Sequence, residues 1–175
     1  MYSTAAESSS NPFWDAEENE APRMARLIKI LQRQPDAKSF GFFVAKSNND
    51  NFVAYKWTGS DVKPTWISTQ NVPAERRESL NLAEELLYGI EQRVSSTGDW
   101  IITMRAEPLK TRVINLTLND SDEPSFIAPV NNKLCVLDHA YVQMRKGLIP
   151  DVEWVRITGR DVSTGAVQTE IVNRV

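Results

Sequence analysis

Residues 39–57 read SFGFFVAKSNNDNFVAYKW, two aromatic-rich runs separated by the polar quartet SNND at 47–50. Polar residues of this kind bend the backbone into turns, while aromatic and β-branched residues favour extended chain, so the segment predicts a β-hairpin. In the second run Val53, Tyr55 and Trp57 share one face of the strand. The first run is apolar on both faces, which predicts a strand with protein on each side, as in a packed barrel or sandwich.

The chain beyond this hairpin continues the β-rich pattern. Short apolar runs alternate with turn residues such as Gly98 and Gly165, which predicts further hairpins. The strands are predicted at 65–68, 92–95, 99–106, 111–118, 125–130, 133–144, 151–162 and 166–172. The good helix formers of AERRESLNLAEELLYG predict one inserted helix at about 74–88. The fold class is therefore mainly β (α+β), an antiparallel β-barrel or sandwich with that helix and an N-terminal amphipathic helix at about 22–34.

Three parts are predicted along the chain: an acidic flexible tail (1–21), an amphipathic docking helix (22–36) and a single β-rich domain (37–175). In the tail, the adjacent pair Phe13 and Trp14 is suited to docking on a partner. The alternative is a solvated tail with two incidental aromatic residues.

The helix reads PRMARLIKILQRQ, with a proline in its first turn and Pro35 after its end. Its apolar residues follow the spacing i, i+3, i+4 and i+7, while arginines lie largely elsewhere. The candidate partner-binding residues are Phe13, Trp14, Met24, Leu27, Ile28, Leu31, Arg23 and Arg26. A basic amphipathic helix binds a partner groove or an anionic membrane, or packs its stripe on its own domain, and these alternatives stay open.

The composition narrows the classes of protein. At 175 residues and 41% apolar content, the chain fits one soluble domain with a core. A single cysteine and a single histidine exclude an internal disulfide and multi-cysteine or multi-imidazole metal sites, so no metal or cofactor is predicted. The N-terminus lacks a signal-peptide pattern and no apolar run reaches membrane-spanning length. We expect an intracellular, reducing compartment, with the cytoplasm and an organelle interior both open, and peripheral membrane contact as an alternative.

The charge is unevenly distributed. Of the formal net charge of −3, residues 1–21 carry −5, leaving the remainder at +2. A nearly neutral body lacks the broad basic surface that neutralises phosphates, so nucleic acid is not an expected partner.

No catalytic motif is present, and no catalytic residue is assigned. Cys135 and His139 are four residues apart on one predicted strand, about 13 Å, too far for a nucleophile and its base. Asp138 and His139 are sequential and are expected on opposite faces of a regular strand. Carboxylates at Glu84, Asp151, Glu153 and Asp161 are the remaining candidates for acid–base chemistry.

Three motifs carry a resemblance to a known family. FFVAKSNNDNFVAYKW, ESLNLAEELLYGI and HAYVQMRKGLIPDVEWVRITGRDVSTGAVQTE contain, in order, an N-x-V-x-Y strand, an LN-x-x-E…YG helix and a P-x-V-E…GRD-x-x-TG hairpin. Together they resemble an uncharacterised domain-of-unknown-function family of bacteria and some eukaryotes, over roughly residues 40–170. The resemblance implies a compact β-rich domain without an assigned activity, and a structural role for Glu84 and Tyr88.

Three functions compete. The first is a non-enzymatic interaction or accessory subunit of a larger assembly, with a protein partner bound through residues 12–34. The second is a β-barrel that binds a small apolar ligand, with walls at Phe42, Val44, Val53, Tyr55 and Trp57. The third is an enzyme based on the carboxylates above.

Overall fold

The computed structural model describes residues 12–69, 76–145, 147 and 151–174, and within the first helix it describes side chains from Glu20 onward. The helices of this part are α1 (Pro12–Gln32), a 3-10 turn (Ala37–Ser39) and α2 (Leu82–Tyr88). The strands are β1 (Phe40–Lys46), β2 (Phe52–Trp57), β3 (Val62–Ser68), β4 (Arg76–Ser79), β5 (Ile90–Val94), β6 (Trp100–Met104), β7 (Ile114–Leu118), β8 (Pro124–Val130), β9 (Lys133–Arg145), β10 (Asp151–Asp161) and β11 (Val167–Asn173).

All eleven strands belong to one sheet, and the long strand β9 organises it. β10 pairs with β9 along one edge, from Cys135 to Arg145, and β11 lies beyond β10. Two strands occupy successive parts of the other edge of β9: β8 pairs with residues 133–136, and β1 pairs with residues 139–142. β9 therefore carries a first arm, β1–β4, and a second arm, β5–β8.

The prediction of an antiparallel sheet is confirmed for all described strand pairs but one. β1 and β9 run parallel, with Phe43 opposite His139 and Lys46 opposite Val142. The sheet is thus mixed, and it curls into a half-barrel. The predicted hairpin of residues 39–57 is present as β1 and β2, with Val44 opposite Val53.

The two arms face each other across the main hydrophobic core, to which both contribute buried aromatic and aliphatic side chains. The Tyr55 hydroxyl donates a 2.6 Å hydrogen bond to the carbonyl oxygen of Tyr88, at the end of α2. The Gln92 side chain accepts from the N–H of Val62 at 2.8 Å and donates to the carbonyl of the same residue at 2.9 Å. One side-chain amide therefore joins β5 to β3 where no strand pairing does.

A second apolar cluster lies on the outer face of the sheet, beneath α1. Met24, Leu27 and Ile30 pack there against aromatic and aliphatic residues of β1, β2, β3 and β9. The Arg156 guanidinium of β10 forms an ion pair with Glu20, and both side chains are nearly buried. The helix is thus a layer of the domain, held by apolar burial and by a paired charge.

The segment after α1 is tied to the first arm by charge. Asp36 accepts two hydrogen bonds from Arg77 of β4, at 2.8 and 2.9 Å, and lies 2.7 Å from the Lys56 ammonium. The hydrogen bond from Arg77, followed by that from Lys56, lowers the pKa of Asp36 to about 2 against the raising effect of burial. Asp36 therefore remains a carboxylate over the ordinary pH range.

The inserted helix differs from the prediction. Residues 76–79, expected to be helical, form β4 and pair with β3, so helix-forming propensity is overridden by sheet pairing. The helix begins only after Asn81, which caps it: its side chain accepts from the Glu84 N–H, and the Glu84 side chain accepts from the Asn81 N–H. Residues 74–75 of the predicted helix lie outside the described residues.

The predicted N-terminal helix is present, but α1 begins earlier, at Pro12, and contains Pro22 in its interior. An interior proline removes one helical hydrogen bond and costs about 3 kcal/mol. Two sets of contacts oppose the cost of this proline. The apolar stripe after Pro22 is buried on the sheet, and Glu20, in the turn before it, pairs with Arg156. Residues 12–21, assigned to the tail from sequence, are helical here, while residues 1–11 lie outside the described part.

Candidate functional site

The apolar stripe proposed for docking packs on the sheet of this chain. Met24 is 6% exposed and Leu27 is 0% exposed. Ile28 and Leu31 are partly buried against the same cluster. While α1 stays in place, a partner can therefore reach only the edges of this stripe, at Ile28 and Leu31.

The two candidate arginines also make contacts within the chain. Arg23 Nε and Arg26 Nη2 lie 3.3 and 2.6 Å from the Asp50 carboxylate, and Arg23 donates a 3.0 Å hydrogen bond to the Lys46 carbonyl. These contacts fix α1 to the turn between β1 and β2. The side chains of Phe13 and Trp14 lie outside the described part of the structure, so their docking role stays a prediction.

The residues suggested as barrel walls form the packed core. Phe42, Val44, Val53 and Tyr55 are each at most 3% exposed, and Trp57 packs against them. An interior pocket between Val44, Tyr88 and neighbouring side chains has a volume of about 20 Å³, room for one water molecule at most. A drug-sized ligand needs a few hundred Å³, so this pocket does not fit the ligand-barrel hypothesis.

The four candidate carboxylates do not form one cleft. Glu84 caps α2, and Asp161 accepts a 2.7 Å hydrogen bond from the Ser163 N–H in the last turn. Asp151 pairs with Arg174 and lies 3.7 Å from Arg145. Since Asp151 and Asp161 are the two ends of the eleven-residue strand β10, they are about 30 Å apart. A paired acid–base mechanism between these two is therefore excluded by distance.

Lys46 is an unexpected buried charge at one end of the main core. It is 3% exposed, its ammonium nitrogen lies 2.5 Å from Asn49 Oδ1, and it stands 4.2 Å above the Trp66 ring. Burial lowers its pKa to about 8, against a weaker raising effect of Glu84. The Asn49 oxygen also accepts the Asn51 N–H, so the lysine is part of the turn between β1 and β2.

Asp138 and His139 form a hydrogen-bonded pair, which corrects the expectation that they point to opposite faces. His139 Nδ1 and Asp138 Oδ2 are 2.6 Å apart. The imidazole stacks on the Phe43 ring with centroids 5.3 Å apart and an angle of 18° between the rings. The hydrogen bond from His139, followed by the attraction of His139 and Arg160, lowers the pKa of Asp138 despite burial.

A β-bulge explains this arrangement. β10 residues Thr158 and Gly159 are consecutive, yet they lie opposite His139 and Leu137, so Asp138 is the extra residue. A Cβ atom on Gly159 would lie 2.8 Å from the carbonyl oxygen of Val136, so glycine allows this close approach. The bulge reverses the alternation of β9: side chains in the main core fall at odd numbers up to 137 and at even numbers from 140, while Tyr141 is buried on the outer face. Cys135 accordingly faces the main core, and His139 faces outward.

Asp138 lines a pocket of about 170 Å³ between α1 and the start of β1. Ile28, Leu31, Phe40 and Phe43 supply apolar walls, and Gln32 adds a second polar group. Sequence reasoning missed this site, because the apolar residues of 134–137 and 140–142 fall on both faces of the predicted strand and their spacing does not mark the bulge.

Neither a cluster of metal-ligating side chains nor a membrane-spanning helix is found among the described residues. No three His, Cys, Asp or Glu side chains in this part lie close enough together to hold a metal ion. Among the described helices, none has the length and apolarity needed to cross a membrane.

The fold and its site define a mainly β domain in which two sheet arms share the edge of one strand, with an acid–histidine pair at the point where they meet. The family model of a domain of unknown function (DUF4833) matches residues 42–171, and the chain belongs to this family. The family carries no assigned activity. No curated protein and no solved structure matches the chain.

Proposed function

We propose that the protein is a non-enzymatic accessory subunit that docks on a larger assembly through its N-terminal extension. The observation that carries the proposal is the position of α1, which lies outside the family-matched residues 42–171 and yet is anchored on the matched domain. The motifs of the family account for the β body. The helix in front of it is an additional element that needs a separate explanation.

The anchoring makes the extension a preorganised arm. The contacts described between α1 and the sheet begin at Glu20, and residues 12–19 continue the helix by about 12 Å. Ion pairs of Arg23 and Arg26 with Asp50 and the buried Leu27 fix the direction of the helix axis. An arm that is already ordered loses less conformational entropy when a partner binds.

The chemistry of the extension indicates the chemistry of the partner. Residues 1–21 carry −5 and include the aromatic pair Phe13 and Trp14. Aromatic side chains are common binding anchors, and complementary charge raises the rate of association. The partner expected from this pattern is a protein surface with a basic rim around an apolar notch, and its binding should weaken as salt is added.

The test requires variants that keep the helix in place. Deleting residues 1–34 would uncover Phe43 and Phe52 and would confuse unfolding with lost docking. Deleting residues 1–19 ends before Glu20, and the double variant Phe13→Ala/Trp14→Ala changes only the anchors. Leu82→Ala/Leu86→Ala is the matched control, since these side chains are 85% and 68% exposed on α2.

Partners captured by each variant from extracts of the source cells would be quantified by mass spectrometry. We expect the deletion and the aromatic double variant to lose the same partners, at least tenfold, while the α2 control retains them. Urea unfolding of each variant checks that the domain is intact. If the chain lacking residues 1–19 captures the same partners in undiminished amounts, the docking role is wrong.

A further inference from the structure

The pocket beside Asp138 lies where two strand irregularities meet. β1 has a bulge at Gly41, because Phe40 and Phe42 face the consecutive residues Lys56 and Tyr55. β9 has its bulge at Asp138, directly before the segment that pairs with β1. Both extra residues line the pocket. Bulges of this kind occur near functional sites because they redirect side chains, here a carboxylate.

His139 prepares the carboxylate for a ligand. An ionised carboxylate can only accept hydrogen bonds, so His139 Nδ1 carries the hydrogen and donates it to Asp138 Oδ2. The stacking of the imidazole on Phe43 fixes the orientation of that bond. In the described part of the chain no protein donor reaches Asp138 Oδ1, and the Asp138 side chain is 54% exposed. The pocket thus has one oriented, negatively charged and solvent-accessible acceptor among its lining residues.

The walls of the pocket determine the size and polarity of the rest of the ligand. Ile28, Leu31, Phe40 and Phe43 form the apolar walls of this pocket of about 170 Å³, which is open to solvent. A cavity of about 150 Å³ holds a benzene ring. The site therefore has room for one aromatic ring or a branched aliphatic group of similar size, with a positively charged donor at the rim.

We propose that this pocket binds a compact apolar amine, whose ammonium group is held by the Asp138 carboxylate and whose ring or aliphatic group lies between α1 and β1. His139 is a positioning residue in this site, since it holds the carboxylate and does not line the pocket. The inference concerns a face of the domain separate from residues 12–19, so it stands whether or not the docking function holds.

The single histidine of the chain makes the test direct, because its imidazole signals in NMR spectra need no assignment by mutation. Benzylamine would be titrated into the full chain at neutral pH, with benzyl alcohol and benzoate as neutral and anionic controls of the same size. We expect benzylamine to shift the His139 ring signals in a saturable manner, at concentrations at least tenfold lower than either control. Equal shifts with benzyl alcohol, or no saturable shift with benzylamine, would overturn the proposal.

Two variants separate the charge from the cavity. Asp138→Asn keeps the acceptor for His139 but removes the charge, and Ala37→Leu adds carbon atoms to the pocket wall and leaves the pair intact. Each should weaken benzylamine binding about tenfold or more. Asp99→Asn, at an exposed turn, is the matched control and should bind as the parent does. If Asp138→Asn fails to fold, Ala37→Leu still decides, since unweakened binding by that variant contradicts the assigned pocket.

Discussion

Lys46 carries a positive charge into the main core, where the described residues offer it an amide oxygen and an indole ring but no carboxylate at ion-pair distance. Its folded pKa of about 8 lies below the ordinary value of 10.5. A depressed lysine pKa means that the charged form destabilises the folded state. This penalty is present in full below about pH 8 and disappears as the pH rises from 8 to 10.5.

Replacing Lys46 by methionine should therefore stabilise the domain. We expect Lys46→Met to raise the free energy of unfolding by about 1–3 kcal/mol at pH 7, after loss of the Asn49 and Trp66 contacts is subtracted. The gain should shrink as the pH approaches 10.5. Urea unfolding of parent and variant at pH 7 and pH 10 measures this, with exposed Lys63→Met as control. A gain that is equal at both pH values would contradict the assigned burial of charge.

Gly159 sustains the bulge opposite Asp138. A methyl group there would lie 2.8 Å from the Val136 carbonyl oxygen and 3.1 Å from the Cys135 Cβ atom, both in the sheet interior. We expect Gly159→Ala to cost about 1–3 kcal/mol in urea unfolding and to shift the His139 ring signals, because the Asp138 hydrogen bond depends on the bulge. Val167→Ala, on the exposed face of β11, should change stability by less than about 0.5 kcal/mol. Unaltered His139 signals in Gly159→Ala would argue against this coupling.

At the scale of elements, α1 is stabilised mainly through its buried stripe. Leu27 is 0% exposed, and its truncation would leave a cavity between helix and sheet. Leu27→Ala should cost about 2–5 kcal/mol in urea unfolding. Leu86→Ala makes the same chemical change at a side chain that is 68% exposed and should cost less than about 0.5 kcal/mol. Similar losses in the two variants would show that α1 does not pack as described.

The elements that could be predicted from sequence are those whose signals are local. The hairpin of β1 and β2 follows from its polar quartet, and the turn at Gly165 has the left-handed backbone, φ +74°, that its glycine suggested. β4 could not be recognised, because Arg76–Ser79 lies in a stretch rich in helix formers and its strand pairing depends on β3. The start of α2 was readable, since Asn81 and Glu84 have capping-box spacing, yet the helix was predicted to begin earlier.

The site shows the same limit. A regular strand separates Asp138 from His139, and only a bulge opposite Gly159 brings their side chains together. Apolar residues occupy both odd and even positions on either side of the bulge, so the sequence pattern does not mark it. The neighbour that completes the pocket, β1, lies far away in the chain, and no periodicity reports such a contact.

At the scale of the whole molecule, Gln92 joins the two arms of the half-barrel. Val62 is 1% exposed, and its N–H and carbonyl groups both pair with the Gln92 side chain. Gln92→Met would leave these buried groups unsatisfied and should lower the free energy of unfolding by about 1–3 kcal/mol. Hydrogen exchange at the Val62 amide should become faster than in exposed Arg93→Met. An unchanged exchange rate at this amide would show that the arms are held elsewhere.

The shared edge of β9 also determines when the arms can be joined during protein synthesis. β1 pairs through Phe43 with His139, which is translated 96 residues later. At about 5–20 residues per second, that interval lasts about 5–20 s. Until β9 has been synthesised, the edge of β1 that pairs with it has no partner strand. We expect nascent chains that end near residue 130 to be sensitive to protease and to recruit chaperones. Complete chains should resist protease and should not recruit chaperones. The strand on which both arms assemble thus lies in the last quarter of the polypeptide.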